Sequence, residues 1–250
     1  MQTTPEKPVE VEFCLQCGPG TGLRPRGDGS QLRCPRCGWV RLVPLRPLFV
    51  VIGASGAGKT TIVPALARKL VGCEVFDVDL TLHIAALGWD AWRATWLQIA
   101  HGIAQNGRST VLCGTITPDQ LETLPTRQLV GPIHSCLLDC PDDVLVERLR
   151  ARPPWRGTDE DFVARQLGFA AWLRDHIEPS FSSYACEPAT VVDQVAAWVT
   201  SGWIDGSAAR LIRSPRRATG RESASHPFAR MGPTVRSWAR KALSRQTVFP

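Results

Sequence analysis

The stretch Leu48-Phe-Val-Val-Ile-Gly-Ala-Ser-Gly-Ala-Gly-Lys-Thr60 decides the fold of this chain. Its first five residues, Leu48 to Ile52, form an apolar run that is typical of a central strand in a parallel sheet. Glycines let the backbone of the next segment wrap an anion with its N–H groups, and a helix that begins near Lys59 adds a favourable potential. The stretch therefore predicts a strand, a phosphate-binding loop and a helix in succession.

This loop has the pattern of a P-loop that binds a nucleoside triphosphate, and we expect the triphosphate to be ATP. The residues predicted to bind it are Gly53, Ala54, Ser55, Gly56, Ala57, Gly58, Lys59, Thr60 and Thr61. Lys59 is predicted to reach the β- and γ-phosphates, and the Thr60 hydroxyl is predicted to ligate Mg2+. Kinases, GTPases, motor ATPases and transporters all use such a loop, so the reaction must be inferred from the rest of the chain.

Short apolar runs alternate with helical periods after this loop. Further strands are predicted at Glu74 to Phe76, Ser109 to Cys113 and Ile133 to Leu138, and a last one within Ser183 to Cys186. Helices are expected between them, for example where Trp92 and Trp96 recur at helical spacing. This alternation predicts an α/β chain with the P-loop NTPase fold, in which a five-stranded parallel sheet has helices on both faces.

Four of the nine cysteines form two Cys-x-x-Cys pairs near the start of the chain, with sixteen residues between the pairs. The pairs are Cys14 with Cys17 and Cys34 with Cys37. This spacing is typical of a zinc ribbon, in which four thiolates hold a structural Zn2+. The segment between the pairs has too few apolar residues to fold unaided, and the metal would supply the missing stability. Two disulfides or reduced, unligated thiols are the alternatives.

Charge and composition divide the chain into three parts. The formal net charge is +6, but residues 205–250 hold ten basic and two acidic residues (+8), which leaves 19 basic and 21 acidic residues (−2) elsewhere. We therefore predict a zinc ribbon over 1–43, a P-loop domain over 44–204 and a basic, disordered tail over 205–250. The tail is either simply solvated or contacts RNA, DNA or another acidic partner, and the ribbon is a second candidate for contact with nucleic acid or protein.

Cellular location is predicted from what the sequence does not contain. The longest apolar stretches, such as Val195 to Val199, are far shorter than the 18 or more residues needed to cross a bilayer. The first residues are also unlike a signal peptide, because they lack a basic start and an apolar stretch. We therefore expect no membrane contact and a cytoplasmic location.

Two carboxylates follow the second predicted strand, in Val75-Phe-Asp-Val-Asp79. Asp77 and Asp79 are two residues apart, so both lie on one face if the segment is extended. The carboxyl end of a parallel strand beside a phosphate loop faces the ligand crevice. We predict that Asp77 holds Mg2+ through water and that Asp79 accepts the proton of a substrate hydroxyl. The alternative is a pair of solvated loop acids.

These motifs resemble the small-molecule and nucleotide kinases of the shikimate kinase, gluconate kinase and nucleoside monophosphate kinase group. The resemblance covers roughly Leu48 to Trp203. In the shikimate kinase branch an Asp-x-Asp after the second strand binds metal and substrate, which corresponds to Asp77 and Asp79 here. The branch also has an aromatic-Arg pair, matched by Trp92-Arg93, and a strand-ending glycine, matched by Gly114. The resemblance thus implies that Asp79, Arg93 and Gly114 bind the substrate.

The segment Leu138 to Pro153 is similar to the part of these kinases that delivers arginines to a lid over ATP. By this resemblance Arg148 stacks near the adenine or contacts phosphate, and Arg152 acts on the phosphoryl group in transfer. A planar guanidinium suits this task because charge spreads over the equatorial oxygens in the transition state. Tyr184 to Pro188 lacks the Asp-Thr or Asp-Ser signal that abuts the adenine in the family, so base selectivity is not implied.

The sequence therefore favours an ATP-dependent kinase that transfers the γ-phosphoryl group to a nucleoside, a nucleotide or another small hydroxylated metabolite. The catalytic residues predicted for this enzyme are Lys59, Asp79, Arg148 and Arg152. The competing hypothesis is a zinc-ribbon ATPase or adaptor associated with nucleic acid. The kinase hypothesis depends on the Asp-x-Asp and the lid arginines, whereas the adaptor hypothesis depends on the ribbon and the basic tail.

Overall fold

The computed structural model describes residues 13–27 and 30–204. The tail predicted over 205–250 lies outside these residues. Within the described ranges, no helix combines the length and the apolar character that crossing a bilayer requires.

The amino-terminal part consists of five short strands. They are β1 (Phe13–Cys14), β2 (Gly18–Gly22), β3 (Arg24–Arg26), β4 (Gln31–Arg33) and β5 (Val40–Leu42). The first two pair antiparallel, and the other three form a separate antiparallel sheet in the order β3-β4-β5. A small core of Cys14, Leu23, Leu32, Cys34 and Val43 holds them together and includes Leu129 from the following domain. This part is called the ribbon below.

A parallel sheet of five strands forms the centre of the larger domain. Its strands are β6 (Leu48–Ile52), β7 (Cys73–Asp77), β8 (Ser109–Gly114), β9 (Ile133–Asp139) and β10 (Ser180–Ser182). Their spatial order is β10-β9-β6-β8-β7, and every neighbouring pair is parallel. The apolar strand before the phosphate loop is therefore central, as predicted, and all five of its residues are buried.

The last strand was predicted in the wrong place. It runs over Ser180–Ser182, three residues before the predicted segment Ser183 to Cys186. This strand lies at the edge of the sheet, where only one residue in two needs to be apolar, and Phe181 alone packs against the core. It therefore has no apolar run that a sequence pattern would reveal.

Six α-helices cover the two faces of the sheet. They are α1 (Lys59–Lys69), α2 (Trp89–Ala104), α3 (Pro118–Glu122), α4 (Asp142–Arg150), α5 (Glu160–His176) and α6 (Pro188–Ile204). Alternate residues of β6 enter opposite cores. Val50 and Ile52 pack in the core that includes Trp96, whereas Phe49 and Val51 pack in the core that includes residues of α1 and α6. This confirms the predicted α/β fold with helices on both faces.

Three segments of 3-10 helix complete the domain, at Val78–Leu87, Pro125–Leu129 and Pro154–Arg156. The first of them corrects the geometry predicted for the two carboxylates. The strand ends at Asp77, and the chain turns into the helical segment at Val78, so Asp79 lies in a first helical turn rather than on an extended face. The turn is stabilised locally, because the Asp79 N–H donates a hydrogen bond to Asp77 Oδ1 at 3.0 Å.

Candidate functional site

The phosphate loop connects β6 to α1, and its glycines are required by its shape. Gly56 and Gly58 have φ angles of 97° and 95°, a backbone region that other residues rarely adopt. Gly53 is required for a different reason, because a Cβ there would lie 2.4 Å from the carbonyl oxygen of Leu138. The sequence thus folds into a tight loop that follows the central strand and leads directly into α1.

Hydrogen bonds to a side chain of the loop itself and to a side chain of α5 hold this loop in place. The Lys59 ammonium donates hydrogen bonds to the carbonyl oxygens of Gly53 and Ala54, at 2.7 and 2.8 Å. The Ser55 N–H donates to Gln166 Oε1 at 2.8 Å. Gln166 belongs to α5 and is only 3% exposed, so it is a buried side chain that anchors the loop. Sequence reasoning missed it because the two residues are 111 positions apart and no motif joins them.

The remaining loop residues are also placed by the structure. Ala54 and Ala57 are buried, and the Ala57 N–H donates to the Ala54 carbonyl at 3.1 Å. Thr61 is exposed on the first turn of α1, and its N–H donates to the Gly58 carbonyl at 3.1 Å. The side chains of these alanines thus face the protein, which leaves the backbone of the loop as the part suited to contact an anion.

The hydroxyl predicted to ligate Mg2+ lies against one of the two predicted carboxylates. Thr60 Oγ1 donates a hydrogen bond to Asp77 Oδ2 at 2.7 Å. The helix start after the loop and the end of β7 are thereby joined at one point. Since the hydroxyl proton is directed at Asp77, the lone pairs of the Thr60 oxygen remain available for a cation.

Burial and neighbouring charges near this point shift the pKa values of Lys59, Asp79 and Arg152. Burial lowers the pKa of Lys59 to about 8, and the carboxylates of Asp79 and Asp77 oppose that change. Burial and the charge of Asp77 raise the pKa of Asp79, although part of this side chain reaches solvent. Lys59, Arg156 and Arg152 act in the opposite direction on Asp79. Burial and the charge of Arg156 lower the pKa of Arg152. These groups therefore face one another across a shared site.

Two arginines of the segment that follows α4 act on the charge of Asp79. Arg152 is half-buried just before Pro153, and Arg156 is exposed at the end of the 3-10 segment Pro154–Arg156. The sequence did not predict a role for Arg156 in the site. Its charge acts on both Asp79 and Arg152, so this segment has two guanidinium groups near Asp79.

Arg148 lies beside the loop, and its side chain donates hydrogen bonds to three acceptor atoms. Its guanidinium donates to the carbonyl oxygen of Gly56 at 3.2 Å and to the hydroxyl and carbonyl oxygens of Ser183 at 3.1 and 3.2 Å. It therefore joins α4, the phosphate loop and the segment after β10. The structure gives Arg148 a positioning role at the loop, and its predicted contact with adenine or phosphate stays a prediction. Ser183 is a further member of this cluster that the sequence did not reveal.

Two residues predicted to bind the substrate have other contacts in the structure. A Cβ at Gly114 would lie 2.1 Å from Val78 Cγ2, so glycine is required there by the packing of Val78. Arg93 on α2 forms an ion pair with Asp90 of the same helix, at 2.9 Å, and its side chain is 15% exposed. The structure thus explains why position 114 holds glycine, while contact of Gly114 and Arg93 with a substrate stays a prediction.

The four ribbon cysteines come together, with their sulfur atoms within 4.8 Å of one another. The Sγ atoms of Cys14 and Cys37 are 3.7 Å apart, and those of Cys34 and Cys17 are 3.9 Å apart. A tetrahedral site with Zn–S bonds of about 2.3 Å has sulfur atoms about 3.8 Å apart, so the cluster fits Zn2+. The distances are too long for disulfides, and all four cysteines are free thiols.

Backbone N–H groups support the thiolate of Cys34. The N–H groups of Arg36 and Cys37 each donate to Cys34 Sγ at 3.4 Å. Burial raises the pKa of this thiol, but these N–H groups outweigh it and bring the pKa to about 6. The turn within the second Cys-x-x-Cys pair therefore stabilises the charged form that a metal requires.

A central parallel strand, a glycine-rich loop and a helix that starts at Lys59-Thr60 together define a P-loop NTPase fold. No family model matches the chain, and no curated protein is similar enough to be counted as a relative. Several solved structures are similar in fold. A sugar kinase from Janibacter has 21% identity over 63% of this chain and 95% of its own, with a TM-score of 0.47.

Two further structures show the same degree of likeness. The tunicamycin resistance protein of Deinococcus radiodurans is 19% identical over 62% of this chain and 95% of its own, with a TM-score of 0.48. A shikimate kinase from Acinetobacter baumannii, solved in complex with shikimate, is 17% identical over 63% of this chain and 94% of its own, with a TM-score of 0.45. Likeness at this level concerns the fold alone, and the chemistry must be argued from the residues above.

Proposed function

We propose that this chain is an ATP-dependent phosphotransferase that transfers the γ-phosphoryl group to a small acceptor, either a hydroxylated metabolite, a nucleoside or a nucleotide. The observation that supports this proposal is the mutual electrostatic influence of Lys59, Asp77, Asp79, Arg152 and Arg156. A loop that only binds ATP has no need for a second carboxylate with a raised pKa. Transfer to a hydroxyl does, because the acceptor proton must be taken up.

The residues present fit ATP with Mg2+. Thr60 and Asp77 meet through a hydrogen bond that leaves the hydroxyl oxygen able to ligate a cation. Asp139, the carboxylate at the end of β9 beside the central strand, is already held by Arg174 through bonds of 2.7 and 3.1 Å. The metal ligands proposed here are therefore Thr60 and, through water, Asp77. When bound, Mg2+ would neutralise charge on the β- and γ-phosphate oxygens.

The protein groups have separate tasks in this proposal. Asp79 takes the proton of an acceptor hydroxyl, and its raised pKa makes it a better base than an ordinary aspartate. Lys59 carries its proton at neutral pH, because its pKa of about 8 is still above 7, and it binds the terminal phosphates. Arg152 and Arg156 stabilise the charge that develops on the phosphoryl group and close the site against water.

A nucleotide acceptor would use the same groups differently. A phosphate oxygen is already ionised near neutral pH, so it needs no base and depends chiefly on the arginines of the lid. Substitution of Asp79 therefore distinguishes the two kinds of acceptor. The four cysteines of the ribbon are proposed to hold a structural Zn2+, which fits a cytoplasmic location where thiols stay reduced.

The experiment is a panel assay with the purified full chain. ADP formation would be measured with ATP, Mg2+ and one acceptor at a time, drawn from sugars, sugar acids, nucleosides and nucleoside monophosphates. We expect one class of acceptor to stimulate ADP formation and to gain a phosphoryl group that mass spectrometry detects. If the chain binds ATP but no acceptor in any class stimulates turnover, the proposal is wrong.

Variants of the active chain then test the assigned roles. With a hydroxyl acceptor, Asp79→Asn should lower kcat by about 10²- to 10⁴-fold while ATP binding is retained. Asp175→Asn is the matched control, because Asp175 is an exposed aspartate on α5. Equal loss in both variants would contradict a specific role for Asp79. With a nucleotide acceptor, Arg156→Gln should cost more activity than Asp79→Asn.

A further inference from the structure

The outward face of the ribbon sheet β3-β4-β5 carries arginines that the phosphotransferase site does not use. Residues alternate between the two faces of a strand, and the exposed set is Arg24, Arg26, Gln31, Arg33, Val40 and Leu42. Leu32 is on the opposite face and is fully buried. We call the exposed set the arginine face. It has three guanidinium groups on the neighbouring strands β3 and β4, and the apolar side chains of Val40 and Leu42 on β5.

The arginine face points away from the larger domain. The opposite face of the same sheet packs against that domain, since Leu32 shares a core with Leu129 and the Arg41 guanidinium donates to Gln105 Oε1. The Gly131 N–H also donates to the Arg46 carbonyl at 2.9 Å, just before β6 begins. The ribbon therefore lies at the amino-terminal edge of the parallel sheet, while the phosphate loop follows the carboxyl end of β6.

The register of the sheet brings like charges together. Arg24 on β3 is directly opposite Arg33 on β4, and Arg26 lies two residues further along β3, a distance of about 6.7 Å. Like charges opposite each other across two strands destabilise a sheet. One phosphate group could accept hydrogen bonds from two neighbouring guanidinium groups of this face.

The charge of the ribbon as a whole also favours an anionic partner. From Phe13 to Pro47 the sequence holds six arginines, no lysine and one acidic residue, Asp28, a net of +5. Four thiolates with one Zn2+ contribute 2 − 4 = −2, so the metal-loaded ribbon still carries about +3. This excess is unlike the region around the phosphate loop, where the carboxylates of Asp77 and Asp79 offset the basic groups.

We propose that the arginine face binds the phosphate backbone of a nucleic acid. Arginine forks match phosphate oxygens, and a pair of strands presents them in a row that an extended polyanion can follow. The exposed set contains no aromatic residue, and Trp39 packs against the ribbon core, so the face lacks a platform for stacked bases. Binding is therefore independent of base sequence, and Val40 and Leu42 contact the sugars. This proposal does not depend on the phosphotransferase activity.

Fluorescence anisotropy with the zinc-loaded full chain tests this proposal, with mixed-sequence single-stranded RNA and DNA of 20 nucleotides as probes. The Arg26→Gln/Arg33→Gln variant should bind about tenfold more weakly at low salt, and the slope of log K against log salt should fall by about 1.4 to 1.8. The control variant Arg68→Gln/Arg165→Gln removes the same charge from exposed positions on α1 and α5 and should bind like the parent chain. All variants retain the basic tail, so any binding by the tail is common to them.

Several outcomes decide the proposal. Equal affinity and equal salt slope in the two double variants would overturn it, and so would equally tight binding of poly-glutamate of matched charge. Should the ribbon variant lose zinc, the single variant Arg26→Gln replaces it, with half the expected change in slope. ADP formation by Arg26→Gln/Arg33→Gln should equal that of the parent chain, because the face is at the opposite edge of the sheet from the phosphate loop. This separates failure of the proposal from failure of the proposed enzyme.

Discussion

Replacement of Gly114 by alanine should damage both the fold and the phosphoryl-transfer site. The new methyl group would lie 2.1 Å from Val78 Cγ2, whereas carbon atoms pack at about 3.6 Å, so Val78 must move by roughly 1.5 Å. Val78 is fully buried and lies between the carboxylates Asp77 and Asp79. We therefore expect a loss of about 1–3 kcal/mol in the free energy of unfolding and about a 100-fold loss in kcat/KM.

The free energy should be measured by urea unfolding, and the activity with the acceptor found in the panel assay. Gly168→Ala is the matched control. Gly168 is exposed within α5, a Cβ there meets nothing within 4 Å, and alanine should stabilise the helix by about 0.5–1 kcal/mol. Val78→Ala removes two buried methyl groups and should cost about 2 kcal/mol.

The double variant Gly114→Ala/Val78→Ala provides the decisive comparison. The added methyl group then occupies space that the Val78 side chain has left, so the double variant should be more stable than the sum of the two single losses predicts, by about 1 kcal/mol or more. Strict additivity of the two changes would refute the reasoning. So would a Gly114→Ala variant with the stability and activity of the parent chain.

Three further predictions concern separate parts of the molecule. The pKa of Lys59 is about 8, and its protonated form binds phosphate, so kcat/KM for ATP should fall as pH rises through about 8. In Lys59→Arg this decrease should occur at higher pH, which rate measurements across pH would show. Gln166→Leu should raise the KM for ATP and lower the free energy of unfolding in urea by about 1–3 kcal/mol, because the Ser55 N–H loses its acceptor. Gln166→Glu retains an acceptor oxygen, so its KM for ATP should be close to that of the parent chain. Cys34→Ser should release zinc in a metal assay and melt the ribbon, whereas Cys186→Ser should retain the metal.

Local patterns in the sequence were sufficient to predict the strand and loop from Leu48 to Thr60. The apolar run identifies a strand that is buried on both sides, and the spacing of glycines with Lys59 identifies the loop, so neither depends on distant residues. The Cys-x-x-Cys pairs were equally informative, because the spacing of the cysteines in the sequence predicts that their four sulfur atoms come together. In each case the determining contacts lie close together along the chain.

Other features depend on contacts that a sequence pattern cannot show. The turn after Asp77 was missed because period-two alternation continues through Asp79, although the Asp77 side chain already caps a helical segment. Gly114 fitted a family pattern for substrate contact, yet the packing of Val78, 36 positions earlier, also requires a glycine there. The bond from Ser55 to Gln166 has no local signal at all. Tertiary packing, which follows from the topology of the sheet, supplies each of these.

The positions of the ribbon and the lid determine how the two proposed activities relate. The ribbon contacts the body of the larger domain at Leu129 and Gln105, next to the amino-terminal edge of the sheet. Arg152 and Arg156 act on the charge of Asp79, which follows the carboxyl end of β7, so they lie towards the opposite edge of the sheet. Helix α2 packs against the segment Pro125–Leu129 that meets the ribbon, and its Trp96 is buried in the core of the larger domain. If both proposals hold, the ribbon attaches the proposed phosphotransferase domain to a polyanion from the edge of the sheet opposite the phosphate loop.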